Sequence, residues 1–118
     1  MDASCYKVGG IMFELARHNT IKLTRGDTCY IEIDIVGNYE IQEGDIIHFS
    51  VKKRVKDSDY AFHIAMPAGT ILVINPSDTK DLDFGRYYYD IQLNTVDGEV
   101  FTLLGPCEFR LLEEITNE

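Results

Sequence analysis

Apolar and polar residues alternate with a period of two over several short stretches of the chain, which predicts β-strands. Residues 29–35 carry Cys and Ile at the odd positions and Tyr, Glu and Asp at the even positions. Residues 46–55 repeat the pattern, with Ile47, Phe49 and Val51 predicted to point inward. Each stretch therefore predicts a strand with one face against a core and the other toward water.

Shorter segments complete the set of predicted elements. A short helical turn is predicted to open at Ser77, and Asp97-Gly98 predicts a hairpin because Asp-Gly favours tight turns. Residues 11–18 fit either a strand or a helical turn, and we favour the extended form. Runs of turn-forming residues separate further strands, which are predicted at 20–24, 60–66, 70–75, 86–95 and 99–114.

The last predicted strand contains an interruption at Gly105-Pro106. Proline has no backbone N–H and cannot donate a hydrogen bond to a strand ladder. We therefore predict that this strand has a bulge at Pro106, or that Pro106 lies at a sheet edge.

Roughly seven or eight short strands without a long helix predict an all-β fold, specifically an immunoglobulin-like antiparallel β-sandwich. The chain has 118 residues, which fits one domain. We assign residues 20–115 to the sandwich. Residues 1–19 are assigned to an N-terminal segment that either adds a strand or swaps into a neighbouring copy.

The segment that starts at Asp83 and runs DFGRYYY resembles the D-x-G-x-Y signature of immunoglobulin domains. The resemblance implies that Tyr87 is a buried corner tyrosine, whose hydroxyl bonds to main chain a few residues upstream, and that Gly85 permits a tight start to the strand. The alternation that follows predicts Tyr87, Tyr89, Ile91 and Leu93 in the core and Tyr88, Asp90 and Gln92 outside. Tyr89 occupies the cysteine position of the signature and the chain has no Trp, which favours a disulfide-free sandwich.

Four longer stretches resemble small immunoglobulin-like proteins and domains of tailed phages and prophages of Gram-positive bacteria, including the N-terminal domain of baseplate upper proteins. They are IKLTRGDTCYIEIDI, IQEGDIIHFSVKKRV, PSDTKDLDFGRYYYDIQL and DGEVFTLL, and together they fall within residues 20–115. The resemblance implies a virion-structure or assembly protein that contacts other virion proteins and copies of itself. It implies no cofactor and no catalysis, and a location in the virion or in the host cytoplasm before assembly.

The charge balance narrows the classes of partner. The chain has 11 Lys and Arg against 20 Asp and Glu, a formal net charge of −9. This balance disfavours binding to nucleic acid and to anionic membrane surfaces, because both need clustered basic residues. The N-terminal residues lack the basic-then-apolar pattern of a secretion signal. Three cysteines without a CxxC pair indicate a reducing compartment, and Cys29 and Cys107 are predicted to be core residues.

Several short motifs have an obvious functional interpretation that the sequence does not favour. Arg25-Gly26-Asp27 matches an integrin-recognition tripeptide, and we interpret it instead as a turn between two strands. Asp78, Asp81 and Asp83 do not have the spacing of a calcium loop, and the three histidines lack metal-ligand spacing, so no metal site is predicted. The chain contains neither a G-x-S-x-G nucleophile motif nor a glycine-rich phosphate loop, so no enzyme activity is predicted.

The candidate interaction surface combines aromatic and basic residues predicted to be exposed. Tyr30 and Tyr88 alternate with core positions, and Lys52 and Arg54 point the same way if the strand continues to residue 55. Two functions remain open for such a surface. It makes protein–protein contacts in a virion, or it binds a carbohydrate or receptor at a tail tip. A cleft of exposed aromatics with an Asn or Asp beside it would favour the second function.

Overall fold

The structure is a computed structural model that describes residues 7–8, 20–33 and 39–115. Strands dominate these residues, and the one helix among them has four residues, so the predicted all-β class is confirmed. The strands are β1 (Lys7–Val8), β2 (Ile21–Thr24), β3 (Cys29–Ile33), β4 (Ile46–Lys52), β5 (Phe62–Pro67), β6 (Leu72–Ile74), β7 (Gly85–Asn94) and β8 (Val100–Leu112), and helix α1 spans Pro76–Thr79.

The described strands form two sheets. A five-stranded sheet has the order β2-β8-β7-β4-β5, and a three-stranded sheet has the order β1-β3-β6. The prediction of a wholly antiparallel arrangement is wrong, because β2 pairs with β8 in parallel and β1 pairs with β3 in parallel. Alternation fixes which face a side chain takes and carries no information on strand direction. Parallel neighbours need a long connection, which most of the chain supplies between β2 and β8.

The core faces of the two sheets share one hydrophobic cluster. Phe49 of β4 stands at its centre, with ring centroids 5.3 Å from Tyr89, 6.1 Å from Phe62 and 6.4 Å from Phe109. Tilted and edge-to-face aromatic pairs at these separations add to the stability gained by burying their large surfaces. The fully or nearly buried apolar side chains are Ile21, Leu23, Cys29, Ile31, Ile47, Phe49, Val51, Leu72, Ile74, Tyr87, Tyr89, Ile91, Leu93, Phe109 and Leu111.

Strand β7 follows the predicted alternation. Tyr87 and Tyr89 are buried, and the hydroxyl of Tyr87 donates a hydrogen bond to the carbonyl oxygen of Asp83 at 2.7 Å. Gly85 has a φ of +140°, a conformation that favours glycine at the start of the strand. Cys29 is buried in the core as predicted, whereas Cys107 is half-buried and packs against the core cluster, and burial raises the pKa of the Cys107 thiol.

Strand β4 ends at Lys52, three residues earlier than predicted. The chain turns there, because the N–H of Asp57 donates to the carbonyl of Arg54 at 3.0 Å and the Asp57 carboxylate accepts the N–H of Arg54 at 3.1 Å. Arg54 therefore lies in a turn, and the prediction that it continues the strand beside Lys52 is wrong. An aspartate that caps its own turn in this way competes with strand pairing.

The helical turn is present, but its predicted start at Ser77 is wrong. Helix α1 begins at Pro76, whose fixed φ suits the first helical position, and Asn75 precedes it as the N-cap. The Asp78 carboxylate accepts the N–H of Asn75 at 2.8 Å, so this aspartate acts as a capping residue. No helix in the described part of the chain is long and apolar enough to cross a lipid bilayer.

The predicted bulge at Gly105-Pro106 is confirmed. Tyr89 pairs with Cys107 and Ile91 pairs with Leu104, so two residues of β8 face Asp90 alone. Extra residues on one strand bend the ladder and increase its twist locally. At the other end of the hairpin, Gly98 has a φ of +92° and its N–H donates to the Thr95 carbonyl at 3.0 Å, as the Asp-Gly pattern predicted.

Part of the N-terminal segment is described. Lys7–Val8 pairs with Glu32–Ile33 at the edge of the three-stranded sheet. The predictions for residues 11–18 and for Ile35 lie outside the described residues.

Candidate binding site

The outer face of the five-stranded sheet is polar. Residues that alternate with the core positions of β4 and β7 point to this face, where Ser50 is opposite Asp90 and Lys52 is opposite Tyr88. His63 of β5 continues the row of Ser50 and Asp90. The core face therefore carries apolar rows, and the outer face carries side chains that can donate and accept hydrogen bonds.

A groove of about 240 Å³ opens on this outer face. Tyrosine rings and a proline ring line part of the groove, and polar or charged side chains line the rest. The residues that concern its chemistry are Ser50, Lys52, Tyr60, Tyr88, Asp90, Gln92 and Pro106. A concave site with apolar walls and a few converging polar groups is the usual form of a small-molecule binding site.

The bulge in β8 shapes one side of the groove. A Cβ placed on Gly105 would lie 2.7 Å from the Cβ of Asp90, closer than real side chains approach. Only glycine therefore lets the β8 backbone come this near to Asp90, and Pro106 follows directly as part of the lining. Bulges commonly re-aim a side chain beside a functional site, and this one fixes the position of Asp90.

Two opposite charges stand together in the groove. Burial raises the pKa of Asp90, and the nearby Lys52 ammonium lowers it by a smaller amount. The Lys52 Nζ also lies 5.4 Å from the centroid of the Tyr60 ring, within the range of a cation–π contact. The groove thus holds one partly desolvated carboxylate and one ammonium, and their charges offset each other.

Tyr60, His63 and His48 form a row of three stacked rings. The Tyr60 ring is nearly parallel to that of His63 at a centroid separation of 5.0 Å, with 17° between the planes. His63 Nε2 lies 2.9 Å from His48 Nδ1, and a hydrogen bond between the two rings requires that at least one of them be neutral. Burial and then the neighbouring His48 lower the pKa of His63. These contacts hold Tyr60 against the sheet.

Tyr88 is held by charged residues on its other side. Tyr88 is opposite Glu108 in the β7–β8 ladder. A hydrogen bond with the Tyr88 hydroxyl raises the pKa of Arg86, and the negative charge of Glu108 raises it further. Arg86 Nε and the Glu108 carboxylate are 3.7 Å apart. The ring of Tyr88 is half-buried as a result, with part of its surface toward the groove.

The four residues predicted to form one interaction surface do not all lie together. Tyr88 and Lys52 are neighbours and both line the groove. Tyr30 lies on β3 of the three-stranded sheet with 61% of its surface exposed, opposite Val73. Arg54 projects from the turn after β4 and forms an ion pair of 3.4 Å with Asp57. Of the predicted surface, Tyr88 and Lys52 therefore lie together in the groove, and Tyr30 and Arg54 lie apart from it and from each other.

The predicted corner residues lie on the opposite side of β7 from the groove. The ring of Tyr87 faces the core, and the Lys53 ammonium lies 4.5 Å from its centroid. Asp83 contributes its main-chain carbonyl to the Tyr87 hydrogen bond, while its side chain is exposed. Gly85 begins the strand between them. These residues shape the fold and do not form part of the binding groove.

The sequence did not single out most of the groove. The alternation predicts that Asp90 faces outward, but the sequence pattern does not indicate that Tyr60, Ser50 and Pro106 lie beside it. The signal that could have found them is the bulge, because a Gly-Pro step opposite an outward aspartate marks a disturbed place on the outer face.

The Arg25-Gly26-Asp27 tripeptide forms the predicted turn. Gly26 has a φ of +84°, and the N–H of Asp27 donates to the Thr24 carbonyl at 3.0 Å. The Arg25 guanidinium binds the Glu114 carboxylate at 3.1 Å and the Leu82 carbonyl at 3.0 Å. A guanidinium engaged in this way serves the fold, which supports the interpretation as a turn.

Asp45 is a buried carboxylate outside the groove, and it has a structural role. Its oxygens accept the Tyr39 hydroxyl at 2.5 Å and the N–H groups of Gln42 and Val96, each at 2.8 Å. The Tyr39 bond, followed by the Gln42 N–H, lowers the pKa of Asp45, and the same Tyr39–Asp45 bond raises the pKa of Tyr39 to about 12. The network ties the segment before β4 to the β7–β8 hairpin.

Comparison with known proteins gives no family for this chain. No model of a known protein family matches it, and no curated protein shows significant similarity to it. Within residues 20–33 and 39–115, no group of three or more His, Cys, Asp or Glu side chains is close enough together to hold a metal ion.

Proposed function

We propose that this chain is a non-enzymatic structural or assembly protein of a tailed phage or prophage, built as an immunoglobulin-like β-sandwich. The observation that carries the proposal is the strand order. If β3, β4, β6, β7 and β8 are named B, C, E, F and G, the pairings β8-β7-β4 and β3-β6 match G-F-C and B-E of the immunoglobulin fold. The hydrogen bond from Tyr87 to Asp83 supports the same assignment.

The proposed mode of action is contact with other virion proteins and with copies of the same chain. Strands β2 and β5 stand at the two ends of the five-stranded order, so each has one edge without a described partner strand. Such edges accept a strand from another chain, and a sheet face adds buried area. The net charge of −9 argues against nucleic acid and membrane as partners. The location would be the virion, or the host cytoplasm before assembly.

The proposal is tested by asking whether the chain enters particles. A host strain would express a tagged copy, and particles released after prophage induction would be separated on a density gradient. We expect the tagged chain in the particle fraction, and light scattering of the purified chain to show more than one copy per assembly. A chain that stays in the soluble fraction as a monomer would exclude the structural role.

A second candidate function is binding of a carbohydrate or receptor at a tail tip. The specific observation in its favour is the groove, where exposed or half-exposed tyrosines at 60 and 88 stand beside Asp90. The two functions are compatible, because a virion protein can also carry the receptor site.

A further inference from the structure

We infer that the outer-face groove is a binding site for a neutral saccharide, which packs against Tyr88 and hydrogen-bonds to Asp90, Gln92 and Ser50. This inference rests on the second candidate function and names its ligand class and residues. It does not depend on whether the chain assembles into particles, because the groove lies on one face of a single chain.

The size of the groove limits the ligand. Its volume is about 240 Å³. Pockets for drug-sized ligands have volumes of about 300 Å³ or more, so this groove takes a smaller ligand. A single sugar ring is of suitable size, with further units extending into solvent from an open groove. A folded peptide element needs a larger apolar surface.

The charges of the groove select a neutral ligand. Lys52 would attract an anion and Asp90 would repel it. For a cation the roles are exchanged, because Asp90 would attract it and Lys52 would repel it. A neutral polyol avoids both penalties. Its hydroxyl groups donate to a carboxylate and also accept from an ammonium or an amide, which matches a site where Ser50 and Gln92 both donate and accept.

The aromatic residues provide the apolar part of the contact. One face of a sugar ring presents C–H groups, and a tyrosine ring offers a large apolar surface with a polar tip. The hydroxyl of Tyr88 is held by Arg86, and Tyr60 is held by the stack with His63. Side chains fixed before binding lose little rotamer freedom when the ligand arrives.

The bulge positions the main hydrogen-bonding group. Gly105 leaves room for Asp90 beside the β8 backbone, and partial burial raises the pKa of the Asp90 carboxylate. A ligand hydroxyl can donate a hydrogen bond to that carboxylate. Bonds to a charged and partly buried acceptor are among the stronger ones available at a protein surface.

The experiment uses the full chain on a glycan array, followed by isothermal titration calorimetry with the soluble form of the best-retained neutral glycan. Tyr88→Ala and Asp90→Asn each remove one of the two central contacts, and we expect each to weaken binding by about tenfold or more. Tyr30→Ala is the matched control, because it removes an exposed tyrosine from the other sheet, and we expect its affinity to stay within about twofold.

Thermal unfolding of each variant verifies that the fold is intact, and Gln92→Ala replaces Tyr88→Ala if the latter does not fold. The inference is overturned if no neutral glycan is retained above background, if only charged glycans bind, or if the groove variants bind as tightly as the parent. Equal loss in Tyr30→Ala also overturns it, because binding would then not depend on the groove. Particle incorporation is measured separately, so failure of saccharide binding leaves the test of the structural role unaffected.

Discussion

Tyr88 and Tyr89 are adjacent in the sequence and have opposite surroundings. Tyr89 is 2% exposed, packs at 5.3 Å from the Phe49 ring and has a partner for its hydroxyl in Cys107. Tyr88 lies on the other face of the same strand and lines the groove beside Lys52. The comparison teaches that one face of β7 carries the stability of the fold, while the other face is available for recognition. Substitutions on the two faces should therefore affect different measurements.

The largest effect is expected at the centre of the core face. Phe49→Ala removes a fully buried ring that contacts three other aromatic side chains, and we expect a loss of about 3–5 kcal/mol in the free energy of unfolding. Phe101→Ala is the control, because its ring is 44% exposed, and we expect a much smaller loss. Guanidinium unfolding followed by tyrosine fluorescence measures both. Equal losses would mean that the core does not centre on Phe49.

The next largest effect is expected at Asp45, the buried carboxylate. Its pKa is lowered in the folded protein, so its stabilising contribution is present above its unfolded pKa of about 3.9 and is lost as the pH falls through the folded value. We expect Asp45→Asn to destabilise the protein at pH 7 and the difference from the parent to shrink at acid pH. Thermal unfolding of both proteins between pH 3 and pH 7 measures this. A pH-independent difference would contradict the expectation.

A smaller effect is expected at Tyr87, the first tyrosine of β7. Tyr87→Phe keeps the buried ring and removes the hydrogen bond to the Asp83 carbonyl, and we expect a loss of about 0.5–1.5 kcal/mol in the free energy of unfolding. Tyr88→Phe changes a hydroxyl on the outer face, and we expect almost no loss from it. Urea unfolding of the two variants compares the faces directly. A larger loss for Tyr88→Phe would reverse the assignment of roles.

The smallest effect is expected at Asp90, and it has the opposite sign. Burial raises its folded pKa, so the charged form costs stability above that pKa, and the cost disappears below the unfolded pKa of about 3.9, where both states are protonated. Asp90→Asn should therefore leave the protein as stable as the parent or slightly more stable at pH 7. Differential scanning calorimetry tests this. A clear loss of stability would give Asp90 a structural role like that of Asp45.

The sequence was informative about faces and much less informative about neighbours. Alternation identified Tyr87, Tyr89 and Phe49 as core residues, because burial of one strand face imposes a period of two. It could not distinguish parallel from antiparallel pairing of β2, since both directions have the same period. The sequence does not single out Asp45 either, because a buried carboxylate is recognisable only when its hydrogen-bond donors are known.

The sequence did not predict the groove either, because the groove depends on which strands are neighbours and in which register. Its residues come from four segments, and the close approach of Gly105 to Asp90 depends on a one-residue shift in the pairing of β7 and β8 between Tyr89 and Ile91. The Gly-Pro pattern predicted that β8 would be irregular at this place. Which side chain the irregularity would approach depends on register, and register is set by packing across the whole sheet.

The position of β8 between β2 and β7 has a consequence for biosynthesis. A ribosome makes β2 early and β8 after the other described strands, so Ile21 and Leu23 lack their one described sheet neighbour during most of translation. Such a sheet closes after the polypeptide has been made, through contacts between distant parts of the sequence, which slows folding. Premature termination before β8 would remove two ladders at once and leave a nascent product dependent on chaperones.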